Sequence, residues 1–489
     1  RDQPRSRGLG DVYKRQVQRC NSALRVLNAA TDEQVNGRVS RIAEMKVLRA
    51  HYYFELSRLF NKIPYFDENV EISQYPDIPN NEFTRDEILS MLAKEMLDAA
   101  EQLPASQPEV GRIHKYIALA YAAKIKLYQA YQQDEITHAV TSINKELLRE
   151  VVSLCDQVTA SNRYGLLDDF QGLDLVTNEN GKESVFAIQY SMNDGTESAG
   201  RINWSNLLNS PGGGSPYGGD GFFLPSQDLI NAYQTDANGL PDFNYQSKSD
   251  YSWAVLNNGV YTLQNTTPNV DPRLDFVVGR PTITWKTYPD KPCEGWVRDK
   301  DTYGYNCAKR FWVSPESSDM FNGWPWGASQ LNWQIIRYAD ILLWKAEALI
   351  ELNEGNGLET ARDLINQIRN RARNSAYVKD FNDHSKYAAN YLVNPYPADV
   401  WNQDYARQAL RWETRLEKAL EGERFFDLVR WGIVETTMNK YITAESDNRI
   451  YYANAHFTGG KDEYYPVPNN QYGFSGGKYV QNPGYAPFN

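Results

Sequence analysis

Four cysteines, five histidines and no long apolar run mark what this 489-residue chain has little of. No stretch of 18 consecutive apolar residues occurs, so no segment reads as a bilayer-spanning helix. The histidines, at 51, 114, 138, 384 and 456, show no paired ligand spacing, and no metal is assigned. Basic residues are outnumbered, 51 against 62 acidic, giving a net charge of −11 without a basic stripe, which excludes a nucleic-acid binder. Cys20 and Cys155 fall in helical patterns and read as buried thiols. Cys293 and Cys307 bracket a polar, aromatic loop, and a bond between them would close a ring of fifteen residues. Such a bridge adds roughly 3 kcal/mol in an oxidising compartment. Spacing does not establish proximity, so bridge and free thiols both stand.

Catalytic and cofactor signatures are equally sparse. The Gly-rich SPGGGSPYGGDG (210 to 221) has neither the Lys-Ser/Thr ending of a phosphate loop nor dinucleotide-turn spacing, so no cofactor is expected. DANGLPD (236 to 242) starts like a calcium loop but has Pro241 where glycine is needed. GFSGG (473 to 477) resembles a nucleophile elbow around Ser475, yet no Asp, Glu or His follows it. The cluster of Glu417, Glu421, Glu423 and Asp427 with Arg415, Arg424 and Arg430 reads as an ion-pair network, because neighbouring arginines lower the pKa that a general acid needs raised. The chain is expected not to be an enzyme.

What is present is helical periodicity at both ends. Apolar residues recur at helical spacing from Val17 to about Gln133, and the pattern predicts helices over 41–60, 85–103 and 112–132. Thr84 and Glu87 form a capping box for the second of these. Helices are predicted again over 335–352 and 358–374, separated by the turn NEGNG, and over about 405–420. A helix–turn–helix unit of about forty residues, with Ala346, Ala348 and Ala361 at packing positions, is close to the tetratricopeptide unit. The fold class expected is mostly α: a tetratricopeptide-like helix-pair solenoid carrying a large irregular insertion with short strands.

Four parts follow from this. Residues 1–16 (RDQPRSRGLGDVYKRQ) carry five basic and two acidic residues without hydrophobic period and resemble translated adapter read-through. They are expected to be foreign and unpacked, with the native N-terminus missing. Residues 17–160 form an N-terminal helical part, 161–333 an irregular part, and 334–489 a C-terminal helical part with its tail on the same domain.

The irregular part is where aromatics concentrate. Between 281 and 333 lie eleven aromatic residues, among them Trp285, Trp296, Tyr303, Tyr305, Trp312, Trp324, Trp326 and Trp333. An aromatic face offers a flat apolar platform, and sugar rings have matching apolar C–H faces edged with hydroxyls. Asn306, Arg298, Asp299, Asp301 and Lys309 supply neighbouring polar groups. Trp324 and Trp326 alternate with Gly323, Pro325 and Gly327, which would put both rings on one face of an extended segment. The ligand-binding candidates are therefore Trp324, Trp326, Trp296, Trp285, Trp312, Tyr303, Tyr305, Asn306 and Arg298. For each ring the competing reading is packing in a loop-rich minor core.

Several stretches carry a family resemblance. VLRAHYYFELSRLFNKIPYF (47 to 66), DPRL (271 to 274), IRYADILLWKAEALIELN (336 to 353), RLEKALEGERFFDLVRWG (415 to 432) and YYPVPNNQ…QNPGY (464 to 485) resemble the SusD/RagB family, in order. The resemblance implies a nutrient-binding lipoprotein on the extracellular face of the outer membrane of Bacteroidetes-type bacteria. It would capture oligosaccharide or polysaccharide and deliver it to a TonB-dependent transporter of the SusC type. A peptide-binding, RagB-like role is the alternative, and a glycoside hydrolase a remote one. The signal peptide and lipid-bearing cysteine of such proteins are not in this sequence; Cys20, inside a helical pattern, is not that anchor.

Overall fold

The computed structural model describes residues 3–488 apart from 197–199, 205–208, 210, 211, 213, 287 and 322–326, with backbone alone over 3–11 and 288–292. Its chain divides into two compact units: residues 1–163 with 425–436 and 457–489, and residues 164–424 with 437–456. Of residues 334–489, 334–424 and 437–456 fall in the second unit and 425–436 and 457–489 in the first.

The first unit is a run of helices, α1 (Gln3–Ala29), α2 (Arg38–Phe60), α3 (Arg85–Gln102), α4 (Lys115–Ala130) and α5 (Lys145–Ala160), each packed on the next. Its core is the apolar stripe that the periodicity marks: Val47, Phe54, Leu92, Met96, Ile117, Tyr121 and Val151 are all buried. The capping box of α3 is formed, with Glu87 N–H donating to Thr84 Oγ1 at 3.3 Å and Thr84 N–H donating to Glu87 Oε2 at 2.8 Å. Thr84→Ala is expected to cost about 1 kcal/mol, read as a fall of a few degrees in melting temperature.

Two expectations are corrected here. Among the described residues of 1–16, α1 runs from Gln3, and its Tyr13 and Lys14 are not unpacked: Lys14 Nζ donates to Gln471 Oε1 at 2.6 Å. Burial of Tyr13, whose ring lies 6.3 Å from that of Tyr52, pushes its phenol pKa up to about 12. Propagating a helix from the nucleus around Val17–Leu24 fixes one residue per added bond, so periodicity is not needed to extend it. The helix over 112–132 also ends early. Tyr131–Gln133 (β1) pairs antiparallel with Val140–Ile143 (β2), because Asp134 Oδ1 accepts the N–H groups of Ile136 and Thr137 and turns the chain.

In the second unit, β3 (Ser184–Ile188) pairs antiparallel with β6 (Trp333–Arg337), and β4 (Trp253–Asn257) forms a hairpin with β5 (Val260–Gln264). Strand β6 leads directly into α6 (Tyr338–Leu352), followed by α7 (Gly357–Asn374) and α8 (Gln403–Glu417), which pack on one another. Residues 335–337, expected to begin the helix, therefore belong to a strand that Trp333 opens. Arg337 is the switch: its N–H donates to Asp340 Oδ2 at 2.7 Å and caps α6. The strand pairs of this unit are short and separate, which is why the sequence there shows little period.

Candidate functional site

Nothing in a chain of acidic and basic side chains distinguishes a reactive cluster from a structural one except partners and burial. Arg337, 1% exposed, donates to Glu183 at 2.7 Å, Glu417 at 3.1 Å and Glu421 at 2.7 Å. Arg273 meets Asp271 at 2.7 Å and Glu413 at 2.6 Å, and Arg369 meets Glu413 at 3.0 Å. Lys418 joins Asp340 and Glu421 at 2.7 and 2.6 Å. Burial raises the Glu417 pKa, but the guanidiniums of Arg371, Arg337 and Arg273 outweigh it and hold the carboxyl at about 2. Glu421 is depressed likewise, burial being outweighed by Arg337, Lys418 and Arg310. Carboxylates held ionised this way serve as network anchors and do not donate protons near neutrality.

The other motifs are also absorbed by local structure. Ser475 is 1% exposed; its Oγ donates to Tyr472 O at 2.8 Å and accepts Tyr479 N–H at 3.1 Å. Asp236 Oδ1 accepts Asn238 N–H and Leu240 N–H at 2.8 and 2.9 Å, closing the DANGLPD loop on itself.

Three of the candidate tryptophans turn out to be core. Trp285, Trp296 and Trp312 are 1, 4 and 2% exposed and form one cluster with Tyr217, Cys293 and Cys307. Trp285 lies 5.0 Å from Trp296, and Tyr217 lies 4.4 Å from Trp312, so their faces are taken by one another. The polar handles are satisfied internally: Trp285 Nε1 donates to Tyr217 Oη at 3.1 Å, and Tyr217 Oη donates to Val313 O at 2.7 Å. In this conformation the trio presents no ring to a ligand and acts as support. Gly327 belongs to the same core. It has φ +78°, and a Cβ there would stand 2.9 Å from the Trp312 ring and 3.0 Å from Tyr217 Cβ. Trp324 and Trp326 lie outside the described residues. Lys309, one of the neighbouring polar groups, is buried and donates to Asp275 O at 2.7 Å.

Among the exposed aromatics of this unit, which include Trp204, Trp253 and Tyr387, four lie on three segments that side-chain contacts tie together. Tyr303, on the one-turn helix Lys300–Tyr303, is 40% exposed, and its ring lies 5.9 Å from Tyr451, itself 46% exposed. Arg449 ties the second segment to the third: Nη1 donates to Tyr451 Oη at 3.1 Å and Nη2 to Pro225 O at 2.7 Å. Just before Pro225 stand Phe222 and Phe223, both exposed, the latter with φ 61°, a conformation costly for a side chain with a Cβ. Arg298 links the first segment to this loop, Nη2 donating to Gly219 O at 2.6 Å.

Beside Tyr303, the half-buried Tyr305 packs edge-on to Tyr261 of β5 at 5.7 Å, and Asn306 is also half-buried. Next to Tyr451, the Tyr452 ring lies 4.5 Å away and tilted to it, and its Oη lies 3.3 Å from Tyr441 Oη. Glu445 accepts Asp228 N–H and lies 3.4 Å from Arg449; burial pushes its pKa up to about 7 despite both partners.

The candidate ring-faced surface is thus the exposed Tyr303–Tyr451 pair together with Phe222 and Phe223, which stand on the loop that Arg298 and Arg449 tie to the same segments. Sequence reasoning placed Tyr303, Tyr305, Asn306 and Arg298 near it and missed Tyr451, Phe222 and Phe223. The available signal was the adjacent pairs FF and YY in polar surroundings. Among the described residues, no group of three or more His, Cys, Asp or Glu is placed to hold a metal, and no helix is long and apolar enough to cross a membrane.

Comparison with known proteins places this geometry in context. A SusD-like protein of Bacteroides ovatus is 22% identical over 436 residues; the match covers 85% of this chain but 63% of the relative's own length. A SusD superfamily protein from Bacteroides vulgatus superposes with a TM-score of 0.68 at 21% identity, covering 98% of this chain and 85% of that one. Surface glycan-binding protein A from Bacteroides fluxus gives a TM-score of 0.65 at 21% identity, with 98% and 85% covered. These likenesses establish the fold. The SusD family model matches residues 182–485, which include α6 to α8, the ion-pair network and the ring-faced surface. By that match over more than half its length, the chain belongs to the SusD family, a cell-surface family of binding proteins.

Proposed function

We propose that the chain captures oligosaccharide on the surface formed by Phe222, Phe223, Tyr303 and Tyr451 and passes it to a TonB-dependent transporter of the SusC type. On this reading the protein sits on the extracellular face of the outer membrane, held by an N-terminal lipid anchor upstream of the residues in hand. The observation that carries the reading is the convergence of three distant segments, through Arg298, Arg449 and the Tyr303–Tyr451 contact, on exposed rings. Rings so exposed contribute little to folding, and arginines that anchor them to backbone carbonyls hold their spacing. A sugar laid across them stacks its C–H faces, while Arg298, Asp299 and Asn306 reach its hydroxyls. The glycan-binding name of the Bacteroides fluxus protein agrees with this chemistry. Trp324 and Trp326 are proposed as further ligand-contacting rings on their alternation with glycine and proline alone.

Magnitudes suit capture and release. Two or three stacked rings at about 1 to 1.5 kcal/mol each, with a few hydrogen bonds, give roughly −4 to −7 kcal/mol. That corresponds to dissociation constants from about 1 mM to about 10 μM, weak enough to hand a ligand on. The test is an array of oligosaccharides and peptides probed with the purified chain. Retention of one glycan class is expected, with no release of reducing ends above a heat-treated control. Binding of peptides alone would reject the reading.

A further inference from the structure

Two thiols in this unit sit side by side without a stated use. Cys293 and Cys307 are 1 and 0% exposed and share the cluster of Tyr217, Trp285, Trp296 and Trp312. Both are unbonded, and their side chains lie within hydrogen-bonding reach of one another. Cys293 Sγ also stands 3.9 Å from Tyr305 O. The backbone makes room for the pair. Cys307 lies opposite Gly279 in a short antiparallel ladder, and a Cβ on that glycine would stand 2.7 Å from Cys307 Sγ. Any larger residue at 279 would drive the sulfur out of its place. The two thiols thus share one apolar enclosure, at the two ends of a fifteen-residue segment.

We propose that Cys293 and Cys307 are a site of oxidative cross-linking and are joined by a disulfide in the mature protein. The S–H bonds of both thiols break and one S–S bond forms. Two electrons pass to a disulfide-bearing oxidant, whose S–S bond is cleaved to two thiols that take up the two protons. The placement of the family at the cell surface supplies the oxidising setting. With both sulfurs buried, exchange takes place before the tryptophan cluster closes over them. The bond then ties the base of the loop carrying Arg298 and Tyr303 to the strand at Cys307–Ala308. Cys20 on α1 and Cys155 on α5 remain thiols.

The test uses the full chain refolded in a mixture of oxidised and reduced glutathione. It is then denatured in acid, treated with N-ethylmaleimide and weighed by mass spectrometry with and without prior reduction. Two labels per chain are expected before reduction and four after. Trypsin cuts at Arg298 and Lys300, between the two cysteines, so the bridge should join two peptides containing Cys293 and Cys307. Four labels before reduction, or a bridge that involves Cys20 or Cys155, would overturn the proposal. A second readout is thermal. Reductant should lower the melting temperature of the wild-type chain by about 3 to 8 °C and leave a C293S/C307S variant unmoved. An equal shift in both would count against the bond; if the variant does not fold, the labelling result decides.

Discussion

Arg337→Met is expected to lower the unfolding free energy by about 3 to 5 kcal/mol and the melting temperature by roughly 5 to 9 °C. Arg337 is fully buried at the junction of β6 and α6 and holds Glu183, Glu417 and Glu421 together. Methionine fills much of the same volume, so the loss reports charge and not cavity. The three carboxylates left behind keep some partners, Arg371 for Glu183 and Glu417, Arg310 and Lys418 for Glu421, but their negative charge is no longer balanced. Removing one member of a buried ionic network costs more than the network contributes over a well-packed apolar core, because desolvation of the remainder is not recovered.

Acid should act on the same place. The folded pKa of Glu417, about 2, lies below the usual carboxylate value, so its contribution is fully present above about pH 4.5. It is lost as pH falls from there towards 2. Urea melts at pH 7, 4 and 3 should show a steep decline in the wild type and a shallower one in Arg337→Met, where part of the pairing is already gone.

Trp285→Ala is the second large effect, with an expected cost of about 3 to 5 kcal/mol. The indole is 1% exposed and contacts Tyr217 and Trp296. Its loss leaves a cavity against Cys307 and removes the donor to Tyr217 Oη. Trp285→Phe, which keeps an aromatic plug and loses the donor, should fall between the two. Thermal melts of the three proteins check the order. A Trp285→Ala protein as stable as the wild type would show that the ring is not core.

The helices were legible because burial of one helix face leaves a 3.6-residue signature. The apolar stripes at Val47–Phe54 and Ile88–Met96 mark α2 and α3 to within a few residues, and Thr84 marks the start of α3 by its side-chain chemistry. The same signature misleads at 335–337. Ile335 and Ile336 are apolar and run into α6, yet this stretch pairs with Ser184–Ile188, a partner about 150 residues away that no local window contains. Aromatic enrichment over 281–333 was equally visible, but burial was not. Whether Trp285 and Trp312 face ligand or core depends on Tyr217, which arrives from a Gly-rich stretch with no period of its own. The ring-faced surface is assembled by Arg449 and Arg298 reaching backbone carbonyls at 225 and 219, contacts that leave no pattern in composition or spacing.

In the proposed site exposed tyrosines bind while buried tryptophans support, and one titration separates the two roles most directly. The oligosaccharide retained best on the array is titrated calorimetrically into the wild-type chain and into the double variant Tyr303→Ala/Tyr451→Ala, with thermal melts of both. Two rings at about 1 to 1.5 kcal/mol each predict an affinity loss of roughly 30- to 150-fold. Because both rings are 40% or more exposed, the melting temperature should stay within a few degrees. Unchanged affinity in a double variant that melts with the wild type would contradict the assignment of this surface.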